Sequence, residues 1–148
     1  MTTYTGPLPN LEDPLTQPFW EAARSRILSV QTCPQCSYRR WPPSPVCPEC
    51  QSPGGDWTPI RQTGVVWSTA TYHRAFDQRF ADQIPYTVAL IDLDDGPRMY
   101  GITVERDCAP GDRVRAAFVD VTPEVTLIRW QRDRPSGSNT SQEVDDER

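Results

Sequence analysis

The sequence predicts a mainly β protein: one short helix near the N-terminus, a four-cysteine metal ribbon, and a small closed barrel of five strands. Three observations carry this. Two Cys-x-x-Cys pairs, Cys33/Cys36 and Cys47/Cys50, stand ten residues apart in TCPQCSYRRWPPSPVCPEC. The stretch QPFWEAARSRIL, just after Thr16, has apolar residues at helical spacing. Beyond residue 60, five runs rich in Val, Ile, Thr and aromatic residues are punctuated by turn chemistry such as DDGP and APGD.

The N-terminal elements come first. MTTYTGPLPNLEDP is rich in proline and polar groups and reads as a loose lead-in. In the helix that follows, Phe19, Ala23 and Ile27 fall at i, i+4 and i+8 and share one face. Trp20 lies off that stripe, so the helix presents aromatic surface in two directions. LSVQTC then runs as a short strand into the first cysteine pair.

The cysteines admit three chemistries. The chain of 148 residues shows no apolar leader and no run long enough to span a bilayer, so a cytoplasmic protein with reduced thiols is expected. Five cysteines are an odd number, a poor fit to a closed disulfide framework. A thioredoxin-type dithiol must open a helix, which lowers its thiolate pKa, and the flanks SYRRWPPSP and QSPGGDW forbid one. A metal asks for four thiolates at tetrahedral corners about 2.3 Å from the ion, and two tight turns joined by a loop supply them. Cys33, Cys36, Cys47 and Cys50 therefore read as ligands of a structural zinc, with iron in a rubredoxin-like site as the alternative. Four protein ligands leave no open position for a catalytic water. Zinc knuckles often carry glycine after the second cysteine, for a left-handed turn; here Ser37 and Gln51 stand there.

After the connector SPGGDWTP, strands are expected at 63–73, 86–93, 98–104, 113–119 and 125–130. The run TVALIDL is apolar at almost every position and is expected to be covered on both faces. Five strands in roughly seventy residues suit a small closed barrel better than an open sandwich. From Gln131 onward only Val144 is apolar, which predicts a disordered tail. The division expected is 1–28 for lead-in and helix, 29–58 for the ribbon, 59–130 for the barrel and 131–148 for the tail.

The order of these pieces resembles a known family. An FW helix, Cys-x-x-Cys, a proline-rich loop, Cys-Pro-x-Cys, then GVVWSTATY, PYTVALIDLDDG and PGDRVRAAF are similar to the zinc-ribbon proteins with an OB-fold, long catalogued as a domain of unknown function. The likeness covers about residues 15–130. It implies a rubredoxin-like zinc ribbon followed by a five-stranded OB-fold barrel. It also implies an accessory subunit, not itself catalytic, of thiolase-like acyl-CoA enzymes: thiolases, acyltransferases and the retro-aldolases that shorten sterol side chains. In that setting the partner supplies the nucleophile, two copies of each chain assemble, and the small subunit helps form the acyl-CoA passage. At this length the free-standing form of the family is expected rather than the form fused to a hydratase-like domain.

Within this frame Phe19 and Trp20 are candidate partner anchors, with Phe19 expected to pack on the chain's own barrel. His73, Arg74 and Phe76, on the long loop before Tyr86, are candidates for the ligand passage. The rival reading is a single-stranded nucleic-acid module, since ribbons and OB-folds serve that role elsewhere. Charge opposes it. The chain has fifteen Arg, no Lys and twenty acids, and four metal-bound thiolates take its formal charge from −5 to about −7. YRRW is the one basic-aromatic cluster of note, and a solvated ribbon tip accounts for it equally well. A Cys108–His73 nucleophile pair would need the fold to unite two loops, and an ordinary turn cysteine is the expectation. Tyr86, Asp92 and Asp95 flank hairpin turns and need no chemistry.

Overall fold

The computed structural model describes residues 3–134. A helix, α1 (Gln17–Arg24), precedes a three-stranded ribbon of β1 (Ser29–Thr32), β2 (Arg39–Arg40) and β3 (Asp56–Pro59). An antiparallel five-stranded sheet follows, made of β4 (Thr63–Tyr72), β5 (Tyr86–Leu93), β6 (Arg98–Ile102), β7 (Arg113–Asp120) and β8 (Thr126–Arg132). The ribbon order is β2-β1-β3 and the larger sheet runs β6-β5-β4-β7-β8. Its outer strands meet: Thr103 bridges Trp130 in parallel, and the Val104 N–H donates to the Trp130 carbonyl at 2.7 Å. The result is the nearly closed five-stranded barrel that the strand count predicts. Among the described residues no helix is long and apolar enough to cross a membrane.

Helix α1 starts with Pro18 in its first turn, where a missing N–H costs nothing. Two of the three residues of its expected stripe point inward. Phe19 and Ala23 are buried, but Ile27 is 39% exposed, because the helix ends at Arg24 and Arg26 turns left-handed at φ 61°. The turn swings Ile27 out and delivers Leu28, fully buried, to the core in its place. The lead-in is not loose along its length. Thr5 donates to Asp82 at 3.5 Å, and Tyr4 lies over Gly6 beside Gln83, so the segment lies against the loop between β4 and β5.

Strand β5 alternates. Thr87, Ala89, Ile91 and Leu93 are buried, and Tyr86, Val88, Leu90 and Asp92 are half-buried. The expectation of cover on both faces is therefore corrected: one face fills the barrel and the other is only partly shielded, as the period of two in an antiparallel strand dictates. A register shift between Val66 and Ser68 turns Trp67 outward, where Arg98 stacks over its ring at 4.3 Å. Inside, Trp130 is the largest buried side chain, and it sits against Gly101. A Cβ on Gly101 would come within 2.7 Å of the indole, so this strand position must stay bare.

One core serves ribbon, helix and barrel. Phe19, Leu28, Val30 and Ile60 are contiguous with Val66, Ile91, Met99, Val114 and Trp130. A polar seam reinforces the junction at the β5–β6 turn. Arg39 of the ribbon donates to the Asp95 carbonyl at 3.1 Å, the Arg61 amide donates to the Asp95 carboxylate at 2.7 Å, and Arg113 pairs with Asp94 at 2.8 Å.

The tail boundary also moves. β8 continues through Gln131 and Arg132, which pair with Arg115 and Val114 of β7. Arg132 also reaches Asp112 at 3.0 Å and Asp107 at 3.1 Å. The expected disorder from Gln131 is corrected here, since paired backbone outweighs the polar side chains that suggested a tail. The remainder of that tail, residues 135–148, lies outside the described residues.

Candidate metal centre and aromatic groove

The two cysteine turns are built alike. The Cys33 N–H donates to the Tyr38 carbonyl and the Cys47 N–H to the Ser52 carbonyl, both at 2.9 Å. Ser37 and Gln51 each return an N–H to the carbonyl of the first cysteine of their turn, both at 3.0 Å. Those two residues have φ of 63° and 65°, the left-handed conformation that glycine would take freely. The knuckle geometry is thus present without glycine.

The turns bring four sulfurs together. Cys33 and Cys50 are 3.5 Å apart, Cys36 and Cys47 are 3.7 Å apart, and all four lie within 4.8 Å of one another. Tetrahedral coordination at a Zn–S distance of about 2.3 Å requires sulfur separations of about 3.8 Å. The donor set fits, and it supports a structural zinc. Such a site would cross-link the two turns and hold no open position. Without an ion the thiols compete for protons. Hydrogen bonds from Ser52 lower Cys50 to about 6. The Tyr38 amide pulls Cys36 down, but desolvation and the three neighbouring sulfurs outweigh it, so that Cys36 is pushed up to about 12. A divalent ion would displace these protons.

Cys108 stands apart from this cluster. It is buried, and burial together with the Asp112 carboxylate pushes its thiol up. That is the opposite of what a thiolate nucleophile needs. His73 is exposed on the loop after β4.

The candidate contact residues separate. Phe19 is 3% exposed, held edge-on to Trp20 at 4.9 Å and against Trp41 at 4.3 Å. It is a core residue and drops out as a partner anchor. Trp20 is half-buried and borders two surface depressions, one with Leu11 and Arg24 and one with Trp41, Tyr100 and Ile128. Phe76 is 80% exposed and lines a groove of about 470 Å³. His73 and Arg74 do not line this groove, although Arg74 lies over the Phe76 ring at 5.9 Å.

Sequence reasoning missed most of the groove. Tyr72 stacks on Tyr86 at 5.1 Å, and Phe80 also stacks on Tyr86, at 5.0 Å. Phe76 meets Tyr72 edge-on at 6.5 Å, while Tyr100, Ile128 and Arg129 complete the wall. The signal lay in the hairpin register, which sets Tyr72 directly opposite Tyr86 and makes the pair a cross-strand stack.

Comparison with known proteins fits this arrangement. Residues 20–54 match the rubredoxin-like zinc ribbon domain of ChsH2, and residues 57–119 match the C-terminal OB-fold domain of ChsH2. A probable enoyl-CoA hydratase alpha subunit of Thermomonospora curvata is 36% identical over 74% of this chain. The chain spans about a third of that subunit, 35% of its length. A DUF35 domain-containing scaffold protein of Methanothermobacter thermautotrophicus is 31% identical, over 66% of this chain and 75% of its own. Among solved structures, a chain of the Ltp2-ChsH2(DUF35) aldolase superposes with a TM-score of 0.71 at 31% identity, over 85% of this chain and 98% of that one. With ribbon, barrel and their order all matched, the chain belongs to the ChsH2 (DUF35) family of zinc-ribbon and OB-fold proteins.

Proposed function

We propose that this chain is a non-catalytic accessory subunit that docks on a thiolase-like acyl-CoA enzyme and completes it. Cys33, Cys36, Cys47 and Cys50 hold the zinc that fixes the ribbon, and the aromatic groove forms part of the surface presented to the partner or its acyl-CoA. The observation that carries the reading is the open aromatic wall of Tyr72, Phe76, Phe80, Tyr86 and Tyr100. Phe76 and Tyr100 are 80% and 63% exposed, and exposed aromatics clustered on one face mark contact surfaces. The likeness to a chain of an aldolase complex, and to an alpha subunit of a hydratase, supports a partnered enzyme.

Thiolase-like chemistry needs a nucleophile, a base and an oxyanion hole, and here the partner supplies them. Because thiolases are two-fold dimers by the same resemblance, each protomer offers one equivalent surface, and two copies of each chain are expected. The test mixes the purified chain with a thiolase-like protein and follows both assembly by light scattering and turnover of an acyl-CoA. Activity that needs both chains, and that Phe76→Asp weakens through loss of the complex, supports the proposal. Complex formation with a hydratase-type subunit instead would move the partner class. Salt-sensitive binding of single-stranded DNA, with no affinity for either enzyme, would overturn the proposal in favour of a nucleic-acid module.

A further inference from the structure

Arg40 closes β2 and is only 4% exposed. Among the described residues no carboxylate lies within ion-pair distance of it; the ion pairs found there engage other arginines. Its bonds go to neutral oxygens. Nε donates to Gln31 Oε1 at 2.8 Å, and Nη2 donates to the Ser44 and Gly54 carbonyls at 2.8 and 2.7 Å. Nη1 is buried without a partner. A cation taken out of water and surrounded only by neutral dipoles is costly, and a fold retains one when a compensating charge is near.

The bonds that Arg40 does make bracket the second knuckle. Ser44 precedes Cys47 and Gly54 follows Cys50, and the two flanks close on each other through the Gly54 N–H, which donates to the Pro45 carbonyl at 2.9 Å. Gln31, directly opposite Arg40 in the β1–β2 register, accepts from the Ser44 amide at 2.9 Å. The cross-strand pair therefore grips both ends of the loop that carries Cys47 and Cys50. Gly55 leaves it room: a Cβ there would stand 2.7 Å from Nη2 and 3.1 Å from the Gln31 Cδ. On the other side, the first knuckle closes at Tyr38, two residues before Arg40. Four thiolates around one divalent ion carry a formal charge of −2, on a cluster buried at Cys33 and Cys47 and exposed at Cys36 and Cys50, so the charge is least screened on its Cys33 and Cys47 side.

We propose that Arg40 is the positioning residue of the metal centre. Its charge balances the anionic tetrathiolate, and its fork holds the second knuckle where Cys47 and Cys50 meet Cys33 and Cys36. The inference rests on zinc occupancy of the four thiols, which elemental analysis of the wild-type chain tests separately.

The experiment measures zinc affinity of the full chain by competition with a chelator of known strength, with circular dichroism as the check on folding. Gln31→Glu keeps the acceptor and the shape while giving Arg40 a carboxylate of its own. It is expected to lower zinc affinity tenfold or more, the scale at which outer partners of metal ligands act, without lowering the melting temperature of the zinc-free chain. Arg40→Met should lose about 10- to 100-fold, and Arg40→Lys, with the charge but not the fork, should fall between it and wild type. Should Arg40→Met fail to fold, Gln31→Glu decides alone. Wild-type zinc with unchanged affinity in Gln31→Glu overturns the role of Arg40 only. A folded wild-type chain without zinc overturns the metal reading and this inference together.

Discussion

Ser37 and Gln51 hold φ near +65° with a side chain attached, and the left-handed region costs a non-glycine residue about 1 kcal/mol. Each N–H there closes a knuckle, so the backbone has no freedom to relax. Ser37→Gly and Gln51→Gly are therefore expected to stabilise the folded chain. Part of the gain is offset by the larger entropy of an unfolded glycine, about 0.4–1 kcal/mol, which leaves a rise in Tm of at most about 2 °C for each substitution by calorimetry. A β-branched residue such as Val at either position should lower Tm instead. The clustered cysteines make a sharper contrast. Cys33→Ser should abolish zinc in elemental analysis, whereas Cys108→Ser, outside the cluster, should leave it unchanged. The four-cysteine cluster was legible because tetrahedral coordination dictates both residue type and spacing. The conformation of Ser37 was not, because its side chain does not favour left-handed backbone, and only the knuckle's hydrogen bonds impose it. Ile27 was misplaced for a related reason: periodicity continues along a sequence after the helix has ended.

At the scale of elements, the predicted strand starts at 63, 86, 98 and 113 coincide with β4 to β7, and β8 begins one residue later than predicted. Starts were legible because turn residues precede them. Ends were less so. Gln131 and Arg132 look like tail by composition, and they are strand because β7 offers them partners and Asp107 and Asp112 accept the arginine. The turn residues have a second role, visible only in the fold. Hydrogen bonds from Arg113, and then from Thr63, hold Asp94 down to about 2, and Arg26 does the same for Asp120. Both carboxyls have folded values below the unfolded value of about 3.9. Their contribution is therefore fully present above about pH 4 and is lost as pH falls toward 2. Tm measured from pH 5 to 2 should drop more steeply for wild type than for Asp94→Asn, which lacks the titrating group. Thiol protonation is common to both proteins, so the difference between the curves reports Asp94.

Across the whole molecule, the ribbon and barrel share one core although the sequence divides them into separate units. Cysteine spacing and strand periodicity announce the two folds independently, and neither says that Phe19 would wedge between them. In the folded chain that ring contacts Trp20 and Trp41, lies 6.2 Å from Trp57, and belongs to the same cluster as Met99 and Trp130. The Arg39, Arg61 and Asp95 seam adds polar contacts at the same junction. Metal removal is thus expected to act beyond the ribbon. A structural zinc contributes its binding free energy to folding, so chelation withdraws a large share of the stability of whatever unfolds together with the site. If the core is one cooperative body, tryptophan fluorescence and far-ultraviolet circular dichroism should report a single transition with one midpoint, and chelation should shift both probes down together. Phe19→Ala should lower that midpoint with zinc bound, at a cost of about 3–5 kcal/mol. Two separate transitions, with the barrel's midpoint indifferent to chelator, would show instead that the ribbon melts on its own. Under the proposed function, that outcome would also alter how the chain docks on its partner. Trp20 and the groove around Tyr100 and Ile128 share a depression with Trp41, so in a single body zinc loss should weaken partner binding even though no cysteine touches the groove.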